Sequence, residues 1–540
     1  MKFRSLYKIT AVCYSVAVLA TGCYGDKGNY DYHDINEVTI SGIDLENIYQ
    51  AYAYQSTLEI TPEIHSSMDV DPSHYEYTWR IVPRNADTNK GATLDEFIVS
   101  HERNLVYPVQ LSDGDYTGFF EVKDPSTGVT WIQDFYLNVT SQGSNGWLIA
   151  CDDNGRTRLD LIAKDDKGEK DVLYPDLWKN LDFEMGSPKR LFFLGDYLTT
   201  IGFPFLVTDK GSYAITGRDF HIGEDTDLKW YFGTVEDHVL IDASVNEMYT
   251  ASESFVTYWW VIDHEGQIYK TECTDQAFFS YPINRVNGET EFKAAPFVGV
   301  SYSYAYSDPE TWMYNYAVIL YDADGRRFLT KYDANNYPSV MQCTGTQLFD
   351  VVTGRDMVFM DSHYDVDELV VAVLKEPASP EYYLYGMNLR LGEVEQAFYG
   401  QIEGPDLANV KFFALHPSLN TLFYATENKI YRVDINNQST MNATEILSLG
   451  ADEEIAVCKF NKILVPDPEN GPYLQPNMYK LVVCTNKKNV SPDNPNVGTF
   501  RLYNIPEYAS TTPTLDTQIE GLGKIVDVVY KEYEKVSSGN

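Results

Sequence analysis

The chain is poor in positive charge, and this shortage narrows the classes of partner it can have. It carries 41 Lys and Arg residues against 79 Asp and Glu residues, for a formal net charge of −38. Nucleic-acid binding needs a basic surface, so the charge balance excludes nucleic acid as a partner. An acidic surface also disfavours anionic ligands, and it disfavours binding of the folded part to an anionic membrane.

Cysteine is scarce as well. Cys13 and Cys23 lie near the N-terminus, and the other five are far apart with no CxxC pair: Cys151, Cys273, Cys343, Cys458 and Cys484. An odd and dispersed set is not a disulfide framework and lacks the spacing of a zinc site. We therefore expect these five as small apolar residues in strands, and we expect no metal and no cofactor.

Motifs for catalysis are also missing. The sequence has no HExxH, GxSxG, Walker or SxxK motif, and His264-Glu265 is followed by Gly266 in a predicted turn. The acidic run 361–368 contains oxygen ligands suited to Ca²⁺ but lacks an EF-hand pattern, which favours a solvated loop. We assign no catalytic residue. A propeller glycoside hydrolase or lyase stays an alternative, because paired carboxylates cannot be recognised by spacing.

The N-terminus is the first informative feature that is present. Lys2, Arg4 and Lys8 precede an apolar stretch over 9–20, which is too short to span a bilayer as a mature helix. The sequence Leu19-Ala20-Thr21-Gly22-Cys23 follows and resembles the lipobox of bacterial lipoproteins. The resemblance implies a signal peptide over 1–22 and fatty acylation of Cys23, with palmitate-type chains as the membrane anchor. An ordinary secretory signal is the alternative. Residues 23–36 then form a tether.

The region from 37 to 141 predicts a small all-β domain. Tyr75, Tyr77, Trp79 and Ile81 alternate with polar residues, which places them on one face of a strand. About one hundred residues of short strands around one Trp are typical of an immunoglobulin-like sandwich. The polar, Gly-rich segment 141–146 marks its boundary.

Repeated β-hairpins dominate the rest of the chain. In the segment 316–332, two runs of strand formers flank Asp322-Ala323-Asp324-Gly325, and Gly325 is expected to take a positive φ. Similar turn signals lie near Gly155, Gly211, Gly266, Asn388, Asn428 and Lys488. This repetition predicts a β-propeller of about seven blades over 146–535, closed by a strand over 524–530 against the first blade. Two or three separate β-domains are the alternative.

Four segments together resemble the PKD-like family of surface lipoproteins. They are the post-lipobox run 26–32, Tyr77-Thr78-Trp79, Gly114-Asp115-Tyr116 and Gly146-Trp147-Leu148-Ile149. The resemblance implies an outer-membrane lipoprotein that faces the cell exterior and accompanies a nutrient importer. A SusC-like TonB-dependent barrel and a SusD-like lipoprotein would be its partners, and an oligopeptide or oligosaccharide would be the cargo. A purely structural subunit without a ligand is the alternative.

Aromatic residues are the candidates for ligand binding. The loop 301–314 contains Tyr302, Tyr304, Tyr306, Trp312 and Tyr314, and Trp259 and Trp230 are second choices. Aromatic faces pack on sugar rings and on peptide side chains. Because the loop is richer in Tyr than in Trp, a peptide is slightly favoured over a glycan. A row of Tyr side chains directed into the core is the alternative interpretation of 302–306.

Overall fold

The computed structural model describes residues 36–532 with internal gaps, and it is nearly all-β. The gaps are 44–47, 53–55, 69, 85–93, 110, 112–113, 141–144, 165–169, 180, 196–201, 218–219, 233–238, 250–254, 273–278, 280, 301–316, 333–334, 364–368, 391–392, 436–438, 462–463, 466–472, 475, 492–493 and 508–511. The chain divides into two compact units, Met1–Val139 and Thr140–Asn540. In the described part, no helix combines the length and the apolar character that a membrane span requires.

Helical structure in the described residues is short. It comprises α1 (Lys229–Phe232) and 3-10 helices at Pro72–His74, Leu94–Phe97, Glu224–Thr226, Leu407–Asn409 and Pro476–Tyr479.

The first unit is the immunoglobulin/PKD-like sandwich. Its strands are β1 (Val38–Ser41), β2 (Tyr49–Tyr52), β3 (Thr57–Ile60), β4 (Glu63–Ser66), β5 (Glu76–Pro83), β6 (Ile98–Ser100), β7 (Leu105–Pro108), β8 (Gly114–Lys123) and β9 (Thr130–Thr140). They form a five-stranded sheet β2-β9-β8-β5-β6 and the pairs β1-β4 and β3-β7. Trp79 is fully buried, stacks on Phe120 at 4.2 Å between ring centroids, and donates from Nε1 to the Glu102 carbonyl. The predicted alternation along β5 is therefore confirmed.

The second unit is a β-propeller. Its strands are β10 (Asn145–Asp153), β11 (Arg156–Lys164), β12 (Asp171–Tyr174), β13 (Pro188–Gly195), β14 (Gly202–Thr208), β15 (Ser212–Ala214), β16 (Leu240–Tyr249), β17 (Phe255–Asp263), β18 (Ile268–Glu272), β19 (Arg285–Val286), β20 (Thr290–Glu291), β21 (Ala317–Asp322), β22 (Arg327–Tyr332), β23 (Ser339–Val340), β24 (Cys343–Thr344), β25 (Asp356–Ser362), β26 (Leu369–Lys375), β27 (Tyr382–Arg390), β28 (Glu393–Glu403), β29 (Phe412–Leu415), β30 (Thr421–Ala425), β31 (Lys429–Asp434), β32 (Thr440–Ser448), β33 (Glu453–Lys459), β34 (Leu464–Val465), β35 (Tyr473–Leu474), β36 (Lys480–Lys487), β37 (Gly498–Asn504), β38 (Thr514–Leu522) and β39 (Lys524–Glu532).

These strands build sheets that follow one another along the chain. The main antiparallel sheets in the described residues are β12-β11-β10-β39, β13-β14-β15, β16-β17-β18, β21-β22-β23, β25-β26-β27-β28, β29-β30-β31-β32 and β33-β36-β37-β38, and a short parallel pairing of β28 with β32 joins the fifth to the sixth. Central strands such as β21 and β26 are buried on both faces, as expected when blades pack against neighbours on either side. The described residues thus contain seven such sheets, and the number of blades in the complete ring stays a prediction.

In most sheets one strand packs beside the corresponding strand of a neighbouring sheet, and we name these the inner strands. They allow the two ends of the propeller to be distinguished. Strand β39 packs beside β13 and β33, β13 beside β16, and β29 beside β25 and β33. In the fourth sheet the inner position belongs to the segment 294–300, which bridges to β21. Counted outward from the inner strand, successive strands of a sheet run in opposite directions. The turn between the second and third strands therefore lies at the same end of the propeller as the connections from one sheet to the next. We name this the hairpin end.

The C-terminal strand closes the ring, as predicted. Strand β39 pairs antiparallel with β10 from Asn145↔Glu532 to Asp152↔Lys524, so the first and last strands of the second unit share the sheet β12-β11-β10-β39, which we name the closure sheet. On β39, the Asp527 carboxylate accepts a hydrogen bond from Lys459 Nζ at 2.6 Å, and one from the Leu191 amide at 2.9 Å. One carboxylate therefore connects three inner strands.

The hairpins confirm most of the predicted turns. Strands β21 and β22 pair through Asp322↔Arg327, and the buried Asp322 carboxylate accepts from the Gly325 amide at 2.8 Å and from Arg327 Nε at 2.9 Å. The predicted positive φ at Gly325 is wrong, because Arg326 takes it, with φ of 48°. Glycine is needed at 325 for space, since a Cβ there would collide with the Asp322 carboxylate.

One predicted turn is misplaced. Asn388 lies inside β27 and pairs with Leu369, so the turn signal assigned there is wrong. The hairpin instead turns over 376–381, where the Glu376 amide donates to the Glu381 carbonyl at 2.9 Å. Because this turn lies at 376–381 and not near Asn388, the turns along the propeller are more evenly spaced than predicted from the sequence.

Candidate functional site

One exposed aromatic side chain, Trp230, lies on α1, in the connection from β15 to β16 at the hairpin end. The Trp230 side chain is 51% exposed, although its Nε1 donates to the Glu224 carbonyl at 2.7 Å. Lys229 Nζ lies 5.5 Å from the Trp230 ring centroid and 3.0 Å from Asp227. The indole is therefore fixed at its polar edge while its face remains accessible to solvent.

A second exposed ring lies on the next connection between sheets. Tyr281 is 92% exposed, which is unusual for a large side chain in a folded region. Its segment is attached to α1, because the Phe279 amide donates to the Tyr231 carbonyl at 2.8 Å. Phe279 also stacks on Phe232 with ring centroids 4.7 Å apart. We name Trp230 and Tyr281 the aromatic patch, since two joined segments present them at the same end.

A cluster of polar and aromatic side chains surrounds Arg355 at the hairpin end. Arg355 precedes β25, Tyr383 and Tyr385 alternate on β27, and Tyr399 pairs with Tyr385 across β28. The Arg355 backbone is held by the Tyr321 hydroxyl, which donates to its carbonyl at 2.7 Å. Strand alternation and register therefore place three phenols around one guanidinium.

The guanidinium is bound from several sides. Nε donates to Glu376 Oε2 at 2.7 Å, and Nη1 donates to the hydroxyls of Tyr385 at 2.7 Å and Tyr399 at 3.3 Å. The central carbon lies 3.7 Å from the centroid of the Tyr383 ring. We name Arg355, Glu376, Tyr383, Tyr385 and Tyr399 the Arg355 cage.

Two groups of the cage, Tyr385 and Arg355, have raised pKa values. Burial holds the pKa of the Tyr385 phenol above its ordinary value, and the neighbouring Arg355 charge offsets this only in part. For Arg355, burial lowers the pKa, but hydrogen bonds to Tyr385 and Glu376 outweigh it and raise the pKa overall. Arg355 is therefore a permanent cation beside the neutral phenol of Tyr385.

Most residues predicted for ligand binding lie outside the described residues. These are Tyr302, Tyr304, Tyr306, Trp312 and Tyr314, and the lipidation candidate Cys23 also lies outside them. Trp230 is exposed, as a ligand contact requires. Trp259 is only 1% exposed and packs in the core near Phe205, because neighbouring blades cover both faces of β17. Its ring is therefore not presented to solvent.

Tyr281 and the residues of the Arg355 cage were not predicted from the sequence. The run Tyr382-Tyr383-Leu384-Tyr385 offered a signal, since alternating Tyr residues on a strand share a face. No local pattern indicates that Arg355 reaches this face from another connection. In the described residues, no group of three or more His, Cys, Asp or Glu side chains is arranged to hold a metal.

Comparison with known proteins gives one family match. The model of the PKD-like family matches residues 23–183. No curated protein sequence matches the chain.

Solved structures resemble the chain only weakly. A quinonprotein alcohol dehydrogenase-like protein from Bacteroides thetaiotaomicron is 12% identical, with a TM-score of 0.39, and the match covers 89% of this chain and 94% of that chain. A putative 6-phosphogluconolactonase from Bacteroides fragilis is 10% identical, with a TM-score of 0.36 and coverage of 73% and 99%. Likenesses this weak support no inference about this chain's activity.

Proposed function

We propose that the chain is a lipid-anchored surface protein that serves a SusC/SusD-type TonB-dependent importer and captures an oligomeric nutrient. The match to the PKD-like family and the sandwich in the first unit support an accessory role at the surface. Cys23 would carry the lipid at the outer membrane, and the folded units would face the cell exterior. A SusC-like barrel and a SusD-like lipoprotein would be its partners, with an oligopeptide or oligosaccharide as cargo.

The aromatic patch is the observation that carries the capture function. Trp230 and Tyr281 expose 51% and 92% of their surface, while Phe232 and Phe279 on the same two segments are stacked on each other. Burial of an apolar ring is favourable, so leaving two large rings in water on an ordered support suggests that a ligand covers them. Such rings suit oligomers, because successive units can pack along them.

Replacement of the indole tests the capture function. Trp230→Ala should weaken binding of the nutrient about tenfold, or about 1.4 kcal/mol, because the ligand loses a flat apolar contact. Isothermal titration calorimetry of the purified chain, with defined oligosaccharides and oligopeptides as probes, measures this change. Tyr136→Ala is the matched control, since Tyr136 is a 41% exposed aromatic of the first unit. Equal affinities in the parent, Trp230→Ala and Tyr136→Ala would show that the aromatic patch does not bind the nutrient.

The anchor and the partners need a separate test in native membranes. Cys23→Ala should move the protein from the membrane fraction to the soluble fraction, because the fatty chains are its anchor in this proposal. Affinity purification of the wild-type chain should recover a TonB-dependent barrel, identified by mass spectrometry. Recovery of the chain alone would contradict the importer assignment.

A further inference from the structure

The Arg355 guanidinium is not saturated. Its Nε and Nη1 atoms are bound to Glu376, Tyr385 and Tyr399, whereas Nη2 has no hydrogen-bond partner among the described residues. An Arg side chain has five N–H donors, and the two on Nη2 remain free in this arrangement. The side chain is 20% exposed, so a ligand in solution can reach this edge.

Other arginines of the propeller differ from Arg355 in this respect. Three of them donate from all three guanidinium nitrogens to protein acceptors: Arg158 to Asp160 and Asn496, Arg432 to Asp434, Pro506, Glu507 and Thr421, and Arg501 to Gln518, Thr485 and Glu453. Their side chains are 6%, 6% and 10% exposed. These three guanidinium groups are saturated within the fold, whereas Arg355 is 20% exposed and keeps Nη2 unbound among the described residues.

The phenols of the cage add further free donors. The hydroxyls of Tyr385 and Tyr399 accept from Arg355, but neither has an acceptor for its own proton among the described residues. A phenol donates one hydrogen bond as well as accepting, so the O–H group of Tyr399, which is half-buried, can serve a ligand. Tyr385 is 1% exposed, and leaving a buried O–H group without an acceptor is costly. The cage therefore has an excess of donors.

An acceptor and an aromatic face complete the cage. Glu376 engages Arg355 through Oε2, while Oε1 has no hydrogen-bond partner among the described residues. The rings of Tyr383 and Tyr399 are nearly parallel and half-buried, with centroids 6.1 Å apart and planes 9° from parallel. The cage thus combines hydrogen-bond donors, an acceptor and a flat apolar surface.

Charge decides which ligand class fits. Glu376 contacts the guanidinium, and Glu381 accepts from the Tyr383 hydroxyl at 3.2 Å, so two carboxylates flank one cation. A carboxylate or sulfate would meet like charge there, in a chain of net charge −38. A neutral molecule avoids this repulsion. A sugar ring carries adjacent hydroxyls that each donate and accept, and its C–H face packs on aromatic rings.

We propose that the Arg355 cage is a binding subsite for a neutral oligosaccharide, an inference that rests on the proposed nutrient-capture function and specifies its cargo. Arg355 Nη2 and the hydroxyl of Tyr399 donate to sugar oxygens, and Glu376 accepts from a neighbouring hydroxyl. The ring of Tyr383 or Tyr399 packs against the sugar's C–H face. A site whose donors are aimed at hydroxyl groups discriminates strongly against ligands that lack them.

Deletion of a single hydroxyl tests the subsite. Tyr399→Phe removes one donor and keeps the ring, so binding to neutral glycans should weaken about fivefold, the worth of one hydrogen bond. Tyr337→Phe is the matched control, because Tyr337 is a 39% exposed tyrosine in the turn between β22 and β23, at the opposite end. The probes are a printed array of neutral and acidic glycans and a peptide array, and thermal melting of each variant monitors folding.

The outcomes separate the subsite from the general function. Binding of neutral glycans that is weakened by Tyr399→Phe, and unchanged by Tyr337→Phe at equal melting temperature, supports the proposal. Glycan binding that is equal in all three proteins keeps nutrient capture but overturns the cage as its subsite. Binding of peptides or acidic glycans alone overturns the neutral-sugar assignment. Absence of binding to both arrays overturns the capture function itself.

Discussion

The closure sheet and the Arg355 cage use the same residue types to opposite effect. In the closure sheet, Arg158 and Asp160 form a bidentate pair with side chains 6% and 0% exposed. The Asp160 carboxylate also accepts the amides of Asp176 at 2.8 Å and Gly523 at 2.9 Å. Its hydrogen-bonding capacity is used within the fold. Arg355, in contrast, is half-buried and keeps an unbound nitrogen at the hairpin end.

The contrast shows how stability and binding can be distinguished in a fold that repeats its blades. A buried ion pair contributes little net stability, but removal of one partner leaves an uncompensated charge. Saturated pairs should therefore respond to mutation through stability. An unsaturated, accessible group should respond mainly through affinity, because its free donors are already solvated in the unbound protein.

The largest effect is expected in the closure sheet. Asp160→Ala leaves Arg158 and two backbone amides without their acceptor, so the free energy of unfolding should fall by about 3–5 kcal/mol. Urea denaturation followed by circular dichroism measures the loss. Asp434→Ala is the control, because the Asp434 side chain is 49% exposed and Arg432 keeps its carbonyl acceptors. Equal losses of unfolding free energy in Asp160→Ala and Asp434→Ala would show that full hydrogen bonding of a buried arginine does not contribute to stability.

A smaller effect is expected at Glu453, the buried acceptor of Arg501. Burial alone would raise the pKa of Glu453, but hydrogen bonds from Thr485 and Arg501 outweigh it and lower the pKa overall. The stability it contributes is therefore complete above the ordinary Glu pKa and lost as the pH falls through the lowered value. Glu453→Gln should cost roughly 1.5–3 kcal/mol at neutral pH, as expected for a charge-assisted hydrogen bond.

Thermal melting of the parent and Glu453→Gln across acidic pH provides the measurement. The difference between the two melting temperatures should shrink as the solution is acidified, since the parent then also carries a neutral side chain at 453. A difference that stays constant, or grows, would contradict the assignment of the charged form. Glu454→Gln serves as a comparison, because the hydrogen bond from Lys411 also lowers the pKa of Glu454, but the Glu454 and Lys411 side chains are 47% and 40% exposed, so the same trend should be smaller.

The fold was predictable because its signals are local. Alternating strand formers and turn residues identified six hairpins, and the strand near the C-terminus identified the closure with β10. The seventh hairpin was misplaced because Asn388 resembles a turn residue but lies inside β27. The segment from Pro377 to Pro380 carried the stronger turn chemistry, since proline fixes the backbone where a strand must end.

The candidate site was predictable only in part. Trp230 was identified from an aromatic run, and its exposure follows from a short helix that the sequence did not indicate. Trp259 also belongs to an aromatic run, but it is buried because neighbouring blades cover both faces of β17. The Arg355 cage joins three segments through strand register, which no local pattern encodes.

Calorimetric titration of Arg355→Lys with a neutral glycan bound by the parent tests directly whether the Arg355 guanidinium binds the ligand. Lysine keeps the charge but lacks the planar fork that reaches Glu376, the phenols and the ligand together. Affinity should fall at least about tenfold, while the melting temperature falls less than in Asp160→Ala. Unchanged affinity, or a loss of stability as large as that of Asp160→Ala, would show that Arg355 is another structural arginine.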